Sequence, residues 1–333
     1  MSEPRASESG DSAQGVAFVT GASRGIGKAT ALALARAGFD VAVGARTVRE
    51  GEGRDDSGRA GAGPLPGSLE TTAAAVEAEG VRALPVTMDL LDRASLAAAV
   101  ARVLGEWGRV DVHVNNAVHT GRGSMSRFED TTIEMVGAKL EANAVAPLFL
   151  VKLVLPGMLD RGRGTIVDIT SHVATNDPPA PAGEGGWGLA YAMSKGAFHR
   201  LAGFVAVEYG HRGIRAFNLD PGFVVTERME TAQAAIGLGD YRGAPPSVPA
   251  AVAAWLCSGA PDSDMANGST VLAQKTALER GLHADWRARS SRSTSLLSWR
   301  PHTRRCSRWS CSAAWSATRL PSPISPTRWR RAT

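Results

Sequence analysis

Two side chains able to exchange protons, Tyr191 and Lys195, lie four residues apart in the segment Tyr-Ala-Met-Ser-Lys. The segment from 191 to 209 has helical periodicity, which puts both side chains on one face of a helix, one turn apart. A phenol has a pKa of about 10, so it exchanges protons poorly near neutrality unless a nearby cation favours the phenolate. The spacing therefore predicts an acid–base pair, although the same pair also occurs on ordinary helix surfaces.

A glycine-rich turn follows the first apolar run, VAFV at 16–19. It reads Thr20-Gly21-Ala22-Ser23-Arg24-Gly25-Ile26-Gly27 and leads into an alanine-rich segment of helical composition. Glycines let the backbone approach a pyrophosphate, and the start of a helix offers unpaired N–H donors. A strand, this turn and a helix in that order predict a dinucleotide site. A tight turn that binds no ligand is the alternative.

The second apolar run indicates which dinucleotide would bind. It ends in Gly44-Ala45-Arg46, and no carboxylate follows until Glu50. An acid at this place would bind a ribose 2′-hydroxyl, whereas an arginine would pair with a 2′-phosphate. Arg24, inside the glycine turn, is a second candidate cation. The sequence therefore predicts NADP(H) in preference to NAD(H).

The elements that must position these residues are short apolar runs separated by longer alanine-rich segments. Seven runs are visible, at 16–19, 41–43, 83–88, 110–114, 165–169, 214–219 and 269–272. Strands with little polar alternation, spaced by helices, indicate a parallel sheet that is covered on both faces. We therefore predict an α/β fold with a doubly wound parallel sheet, a Rossmann fold, as a single domain at 15–283.

Small or polar residues follow four of these runs. They are Asp89, the segment Asn115-Asn116-Ala117, Ser171, and the segment Asp220-Pro221-Gly222. The carboxyl ends of parallel strands lie along one edge of the sheet, where open α/β sheets bind ligands. These residues are therefore expected to outline a single crevice.

In this order, the motifs resemble the short-chain dehydrogenase/reductase family from residue 15 to about residue 280. The matching motifs are the glycine turn, Asp89, Asn115-Asn116-Ala117, Ser171, Tyr191 with Lys195, and Pro221-Gly222 with Thr226. The resemblance implies that Tyr191 is the general acid/base and that Lys195 lowers its pKa and holds the nicotinamide ribose. It further implies that Ser171 hydrogen-bonds the substrate oxygen and that Asn143 completes a water-linked proton relay.

The resemblance also implies a set of cofactor contacts and an oligomer. The contacts would come from Gly21, Ser23, Arg24, Gly25, Ile26, Gly27, Arg46, Asp89, Leu90, Asn116, Ala117, Tyr191, Lys195, Pro221, Gly222, Val224 and Thr226. The chain would form a homodimer or homotetramer, and the apolar segments 142–155 and 191–209 are candidates for the subunit contact.

Two features depart from the family pattern. Val118 follows the Asn-Asn-Ala motif, where the family usually has glycine, and the gap between Ser171 and Tyr191 is several residues longer than usual. The longer gap leaves Thr170 as an alternative to Ser171, although the place of Ser171 beyond the strand favours it. Two irregular segments, 47–67 and 172–188, could be insertions without a function, but the second directly follows the carboxyl end of a strand and is expected to face the substrate.

The expected reaction is hydride transfer between NADP(H) and a small molecule that carries a carbonyl or a secondary alcohol. Trp187, Phe223 and Met229 could line an apolar pocket under a lid at 224–238, or could simply pack in the core. The alternatives are an NADP-binding regulator without catalysis, or association with nucleic acid or membrane through the C-terminal tail.

Length and composition fit a soluble domain. The chain has 333 residues, of which 44% are apolar and 21% charged, and no run reaches about 18 uninterrupted apolar residues. The first fifteen residues are polar and acidic and predict no secretory signal, so a cytoplasmic location is expected. Three cysteines, Cys257, Cys306 and Cys311, have no metal-ligand spacing, and no metal site is predicted.

The basic character of the chain belongs to its C-terminal part. Residues from His283 onward include eleven arginines, no lysine and one acid, a balance of +10, so the rest of the chain carries −5 of the net +5. We predict disorder at 1–14 and in a Ser/Arg/Trp-rich tail at 284–333, which has the composition of a shifted reading frame. A tail that binds RNA, anionic lipid or an acidic partner is the alternative. The core domain is not expected to bind nucleic acid or membrane.

Overall fold

Strands and helices alternate along the chain from residue 16 to residue 280. The structure, a computed structural model, describes residues 14–56, 64–232 and 243–286. Within these residues, seven strands form one sheet. They are β1 (Val16–Thr20), β2 (Asp40–Ala45), β3 (Ala83–Thr87), β4 (Val112–Asn115), β5 (Gly164–Ile169), β6 (Ile214–Asp220) and β7 (Thr270–Leu272).

All neighbouring strands are parallel, and their order is β3-β2-β1-β4-β5-β6-β7. The order reverses between β1 and β4, and open α/β sheets bind ligands at the crevice that such a reversal creates. Each apolar run of the sequence is one of these strands, so the predicted doubly wound parallel sheet is confirmed.

Ten α-helices lie within the described residues. They are α1 (Gly25–Arg36), α2 (Leu69–Glu77), α3 (Arg93–Trp107), α4 (Ile133–Leu140), α5 (Ala146–Asp160), α6 (Leu189–Tyr209), α7 (Glu227–Ala232), α8 (Ser247–Cys257), α9 (Pro261–Asp264) and α10 (Ala273–Arg280). A π-helical turn at Glu141–Val145 joins α4 to α5, and short 3-10 helices span His172–Ala174 and Gly210–Arg212.

Alternate residues of β1 face the two sides of the sheet. Ala17 and Val19 pack in a core cluster with side chains of α1, α2, α8 and α10, whereas Val16 and Phe18 pack in a second cluster with α3, α5 and α6. Helices therefore cover both faces, which explains why the strands show little polar alternation.

Side-chain caps fix the start of several helices near the site. The Asp92 carboxylate accepts hydrogen bonds from the N–H groups of Ala94 and Ser95 at the start of α3. Ser68 and Thr71 form a capping box at the start of α2. Such caps satisfy N–H groups that have no partner within the helix, and so define where the helix begins.

The two edge strands of the sheet are β3 and β7. β3 contains Pro85, and β7 has only three residues. Proline is tolerated at the edge of a sheet because the missing N–H faces no neighbouring strand.

The C-terminal end of the described domain lies beyond the predicted boundary at residue 283. Trp286 is buried, and its indole N–H donates to the carbonyl oxygen of Gln274 at 3.0 Å. The folded part therefore includes residues 284–286. The remainder of the predicted tail and residues 1–13 lie outside the described residues, as do 57–63 and 233–242.

The helical segment 133–160, made of α4, the π turn and α5, is long and apolar enough to cross a membrane by length and composition alone. Half of its most apolar part is buried inside the domain. Leu150, Val154 and Met158 pack in the core beneath the sheet. Burial against the sheet accounts for the apolar character of these three positions.

Candidate active site

A cleft of about 340 Å³ runs along the carboxyl ends of β1, β2 and β4. Many of the predicted cofactor residues line it, namely Gly21, Ser23, Arg24, Gly25, Ile26, Arg46, Asp89, Leu90, Asn116, Ala117 and Thr226. A second cavity of about 960 Å³ shares Arg46 and Asp89 with the cleft and extends beneath the segment 51–55. The structure thus brings together residues from distant parts of the sequence at one edge of the sheet.

The glycine turn leaves the floor of the cleft free of side chains. Gly21 and Gly25 have φ angles of +67° and +56°, which residues with a side chain rarely adopt. A Cβ atom at Gly27 would lie 2.2 Å from the carbonyl oxygen of Gly21, so a larger residue there would push the turn apart. This backbone surface fits a pyrophosphate, which needs close approach to main-chain N–H groups.

Asn116 and Ala117 hold the glycine turn rather than point freely into the cleft. The Asn116 side chain donates to the carbonyl oxygens of Thr20 at 2.8 Å and Gly21 at 3.2 Å. The N–H groups of Asn116 and Ala117 both donate to the Thr20 hydroxyl. The motif after β4 therefore fixes the end of β1.

An acidic side chain accepts a hydrogen bond from the first N–H of α1. The N–H of Gly25 donates to the carboxylate of Glu227, the first residue of α7, at 3.0 Å. A carboxylate at a helix N-terminus is favoured for the same reason as a phosphate. Sequence reasoning missed Glu227 because 202 residues separate it from Gly25, although it directly follows the predicted contact Thr226.

The two arginines predicted to meet a 2′-phosphate are both engaged by the segment 47–67. Arg24 donates to the carbonyl oxygens of Pro66 at 2.7 Å and Gly67 at 3.0 Å. Arg46 forms an ion pair with Asp56. The sequence contains no acid between Arg46 and Glu50, yet the inserted segment folds back and brings the Asp56 carboxylate to Arg46.

The remaining predicted cofactor residues differ in their placement. The Asp89 carboxylate accepts from the N–H of Leu91 at 3.0 Å, and Leu90 is buried. Pro221, Gly222 and Val224 are not among the residues that line the cleft. They follow β6 in a segment where Gln274 donates to the carbonyl oxygen of Pro221.

Tyr191 and Ser171 lie close to each other at the carboxyl end of β5, where burial raises the pKa of Tyr191 above its ordinary value. The nearby Ser171 side chain has a smaller effect and lowers that pKa. The neighbouring Thr170 is buried and bonds His199 at 3.0 Å, so Ser171 is the hydroxyl that faces the phenol.

Lys195 lies one turn after Tyr191 on α6, as the spacing predicts. Its ammonium is buried and donates to the carbonyl oxygen of Ile169 at 2.8 Å. Burial lowers the pKa of Lys195 to about 8, against the opposing charges of Asp168 and Asp220. The charges that act on the Tyr191 phenol are those of Asp220 and Arg228. Burial is the largest cause of the raised pKa of Tyr191, and the lowering of this pKa by Lys195 stays a prediction. Neither Tyr191 nor Lys195 lines the cleft.

A buried polar chain, hidden within the apolar strands, lies near Lys195. His113 bonds the Asn115 side-chain oxygen at 2.9 Å, and the Asn115 amide donates to Asp168 at 2.8 Å. Burial raises the pKa of Asp168 to about 7 and lowers that of His113 to about 4. Because these residues lie within or next to apolar runs, the sequence did not predict that they hydrogen-bond one another.

Asn143 lies in the π turn and joins two parts of the site. Its side-chain oxygen accepts from the N–H of His119 at 2.7 Å, and its amide donates to the Ser194 hydroxyl at 3.0 Å. Ser194 in turn donates to the carbonyl oxygen of Tyr191. Asn143 therefore ties the segment after β4 to the helix that carries Tyr191.

Only some of the residues predicted to line a substrate pocket lie at the cleft. Met229, Val118 and Arg228 line the cleft. Trp187 packs edge-on against His172, with ring centroids 5.1 Å apart, and does not line the cleft. The predicted lid at 224–238 is described only to residue 232, where it includes α7.

Comparison with known proteins finds relatives that are named as dehydrogenases. A family model described as short chain dehydrogenase matches residues 15–62 and 62–236. The short chain dehydrogenase mpl6 of Monascus purpureus is 33% identical over 216 residues, which are 63% of this chain and 65% of that protein. Gluconate 5-dehydrogenase of Gluconobacter oxydans is 30% identical over 214 residues, which are 64% of this chain and 73% of that protein. The chain thus spans slightly less than two thirds of the length of its Monascus relative.

Solved structures share the architecture. A metagenomic short-chain oxidoreductase in complex with NADP is 28% identical, with a TM-score of 0.59 over 79% of this chain and 97% of that one. A short-chain dehydrogenase/reductase from Burkholderia xenovorans is 25% identical, with a TM-score of 0.64 over 78% of this chain and 94% of that one.

Proposed function

Because the chain belongs to the short chain dehydrogenase family, we propose that it transfers a hydride between NADP(H) and a small molecule carrying a carbonyl or a secondary alcohol. The observation that carries this proposal is the proximity of Tyr191 and Ser171 at the carboxyl end of β5, close enough for the Ser171 side chain to lower the pKa of the phenol. Lys195 lies one helical turn away. Two neighbouring hydroxyls can donate to one substrate oxygen, which is the group that gains or loses the proton.

The glycine turn supports a nicotinamide dinucleotide as the cofactor. Its backbone floor would hold the pyrophosphate, and Arg24 and Arg46 would meet a 2′-phosphate. When bound, the cofactor supplies the hydride. Arg46 would exchange the Asp56 carboxylate for the phosphate. We expect NADPH to bind at least about tenfold more tightly than NADH, and equal affinities would contradict the preference for NADP(H).

The protein's own groups would handle the proton. The Tyr191 phenol, whose pKa is raised by burial, would donate its proton to a carbonyl oxygen. Ser171 would hydrogen-bond the same oxygen, a contribution of about 3 kcal/mol in comparable sites. Asn143 and Ser194 hold the backbone of Tyr191 in place.

Replacing the phenol tests the proposal directly. Tyr191→Phe removes only the hydroxyl, so we expect turnover to fall at least about 100-fold while NADPH binding stays within about threefold. The measurement is NADPH consumption with ketones, quinones, steroids and acyl-linked carbonyls, together with NADPH titration. Tyr209→Phe, at the far end of the same helix, is the matched control. Retained turnover in Tyr191→Phe would mean that the proton comes from another group. Binding of NADPH without turnover of any substrate by the unmodified protein would favour a regulatory NADP-binding protein.

The proposal includes self-association into a homodimer or homotetramer. Apolar side chains on α5 and α6 remain exposed, among them Leu148 at 40%, Phe204 at 58% and Val207 at 84%. A second copy that covers these side chains would remove them from water. The cytoplasmic location stays a prediction.

A further inference from the structure

A lysine is buried beside the site, and neither the family motifs nor the proposed reaction uses it. Lys139, in α4, has no exposed surface. It lies one helical turn before Asn143. Burial lowers the pKa of Lys139 to about 8, and the charge of Arg228 adds to this lowering. A buried ammonium is costly in free energy unless its surroundings give it good acceptors.

The acceptors of Lys139 are both neutral. Its Nζ donates to the carbonyl oxygen of His119 at 2.6 Å and to the Ser124 hydroxyl at 2.6 Å. In the part of the chain that the structure describes, no carboxylate forms an ion pair with it. Two hydrogen bonds therefore tie the ammonium to the segment after β4.

That segment, residues 118–124, is hydrogen-bonded at successive peptide groups. The N–H of His119 donates to Asn143, while its carbonyl oxygen accepts from Lys139. The carbonyl oxygen of Thr120 accepts from Arg228 at 3.2 Å. Val118, His119 and Thr120 all line the cleft. Lys139 and Asn143 thus hold the two peptide groups on either side of the His119 Cα atom, in the wall of the cleft.

Ser124 extends the connection to the helix that bears Tyr191. The carbonyl oxygen of Ser124 accepts from the N–H of Gly188 at 2.8 Å. Gly188 directly precedes α6, and this helix starts without a side-chain cap. The start of α6 is therefore held by the segment that Lys139 holds.

We propose that Lys139 is a positioning residue for the reaction. Its ammonium fixes the segment 118–124 against α4 and α6, and so aligns the wall of the cleft with Tyr191. This inference rests on the proposed function, because it names a further residue on which that reaction depends.

Two variants separate the hydrogen bonds of Lys139 from its volume. Lys139→Met keeps most of the length and the apolar stem of the side chain but has no donor for His119 and Ser124. Lys139→Gln keeps two N–H donors on a chain one bond shorter. The control is Lys152→Met, which makes the same change at an exposed lysine of α5.

The measurements are kcat and KM for the best carbonyl substrate, NADPH affinity, and amide hydrogen exchange of the peptides that cover 118–124 and 186–192. We expect Lys139→Met to lower kcat by about 10-fold to 100-fold, because small misplacements of reacting groups have effects of this size. NADPH affinity should stay within about threefold, and both peptides should exchange faster. Lys139→Gln should recover part of kcat, and Lys152→Met should match the unmodified protein.

Faster exchange with unchanged kcat would reduce Lys139 to a structural role and overturn the proposal, as would unchanged exchange. If no substrate is turned over by the unmodified protein, the proposed function fails. The exchange measurement would then still show whether Lys139 holds the segment. If Lys139→Met does not fold, Ser124→Ala removes one of the two acceptors and should give a smaller change in the same direction.

Discussion

Asp168 is the residue whose ionisation most directly concerns Lys195. It has no exposed surface, and its side chain receives one hydrogen bond, from Asn115. In the described part of the chain, its second carboxylate oxygen has no hydrogen-bond partner. Burial raises the pKa of Asp168 from 3.8 to about 7. A carboxylate here is costly to ionise, yet its charge favours the protonated form of Lys195.

Asp168→Asn should make the stability of the protein less sensitive to pH. Between about pH 4 and pH 7 the folded state holds a proton on Asp168 that the unfolded chain has released. Stability from this group is therefore lost as the pH rises through that window. Asparagine does not titrate, so Tm of the variant minus Tm of the unmodified protein should increase by on the order of 5 °C from pH 4 to pH 7.

Thermal unfolding at a series of pH values measures this difference. Asp160→Asn, at the end of α5 and outside this buried chain, is the control and should show no such trend. A Tm difference for Asp168→Asn that stays constant from pH 4 to pH 8 would mean that Asp168 is already ionised in the folded protein at acidic pH.

Local motifs made several individual residues of the site predictable. Tyr191 and Lys195 are one helical turn apart, as their spacing predicts. Ser171 lies two residues after the end of β5, and its relation to Tyr191 came from the family resemblance. Glu227, Asp56 and Lys139 were not predictable, because their partners are set by how distant segments pack. The pKa of Tyr191 was also beyond the sequence, since burial outweighs the nearby polar groups.

At the scale of elements, α7 closes on the start of α1. Glu227 accepts from the N–H of Gly25, and Arg228 forms an ion pair with Asp55 at 3.5 Å and donates to the carbonyl oxygen of Thr120. A Cβ atom on Gly25 would lie 3.2 Å from the Thr226 side chain, which shows how closely the two elements approach. A cofactor phosphate at the glycine turn would have to displace the Glu227 carboxylate.

Glu227→Gln should therefore strengthen cofactor binding. The change keeps the size of the side chain but removes the negative charge that competes with the phosphates at the start of α1. A charge at a helix N-terminus is worth up to about 2 kcal/mol, so we expect the Kd for NADPH to fall about threefold to tenfold. Fluorescence titration with NADPH measures the effect.

A second variant is the control for the NADPH titration of Glu227→Gln. Glu279→Gln, at an exposed position of α10 with the same loss of charge, should leave the Kd unchanged. An unchanged or higher Kd for Glu227→Gln would mean that the carboxylate does not occupy the place of a phosphate.

The order and type of the elements were predictable, whereas their irregularities were not. All seven strands followed from apolar runs bounded by glycine-rich or polar residues. The π turn at 141–145 was not visible, because helical periodicity runs through it without interruption. The return of the segment 47–67 to Arg24 was equally hidden, since backbone carbonyl oxygens make most of that contact and every residue type has one.

At the scale of the whole molecule, the exposed apolar side chains of α6 should govern assembly. Val207→Arg places a charge at a side chain that is 84% exposed in the single chain. If a second copy covers this face, the buried charge would oppose association. We expect sedimentation velocity to show a shift toward monomer, with Tm of the monomeric domain little changed. Leu272→Arg, at another exposed apolar position, is the control. An unchanged sedimentation coefficient for Val207→Arg would place the interface elsewhere or leave the protein monomeric.

The proline in β3 has a consequence for how the sheet meets other chains. The carbonyl oxygen of Arg82 accepts from Val41 in β2, and the N–H of Met88 donates to Ala45. Because successive residues of a strand direct their backbone groups to opposite sides, Pro85 lies on the outward side, where it offers no N–H. The opposite edge presents only the three residues of β7. Within the described residues, an extended peptide therefore finds no continuous ladder to join at either edge of the sheet, which disfavours strand-by-strand growth into fibrils.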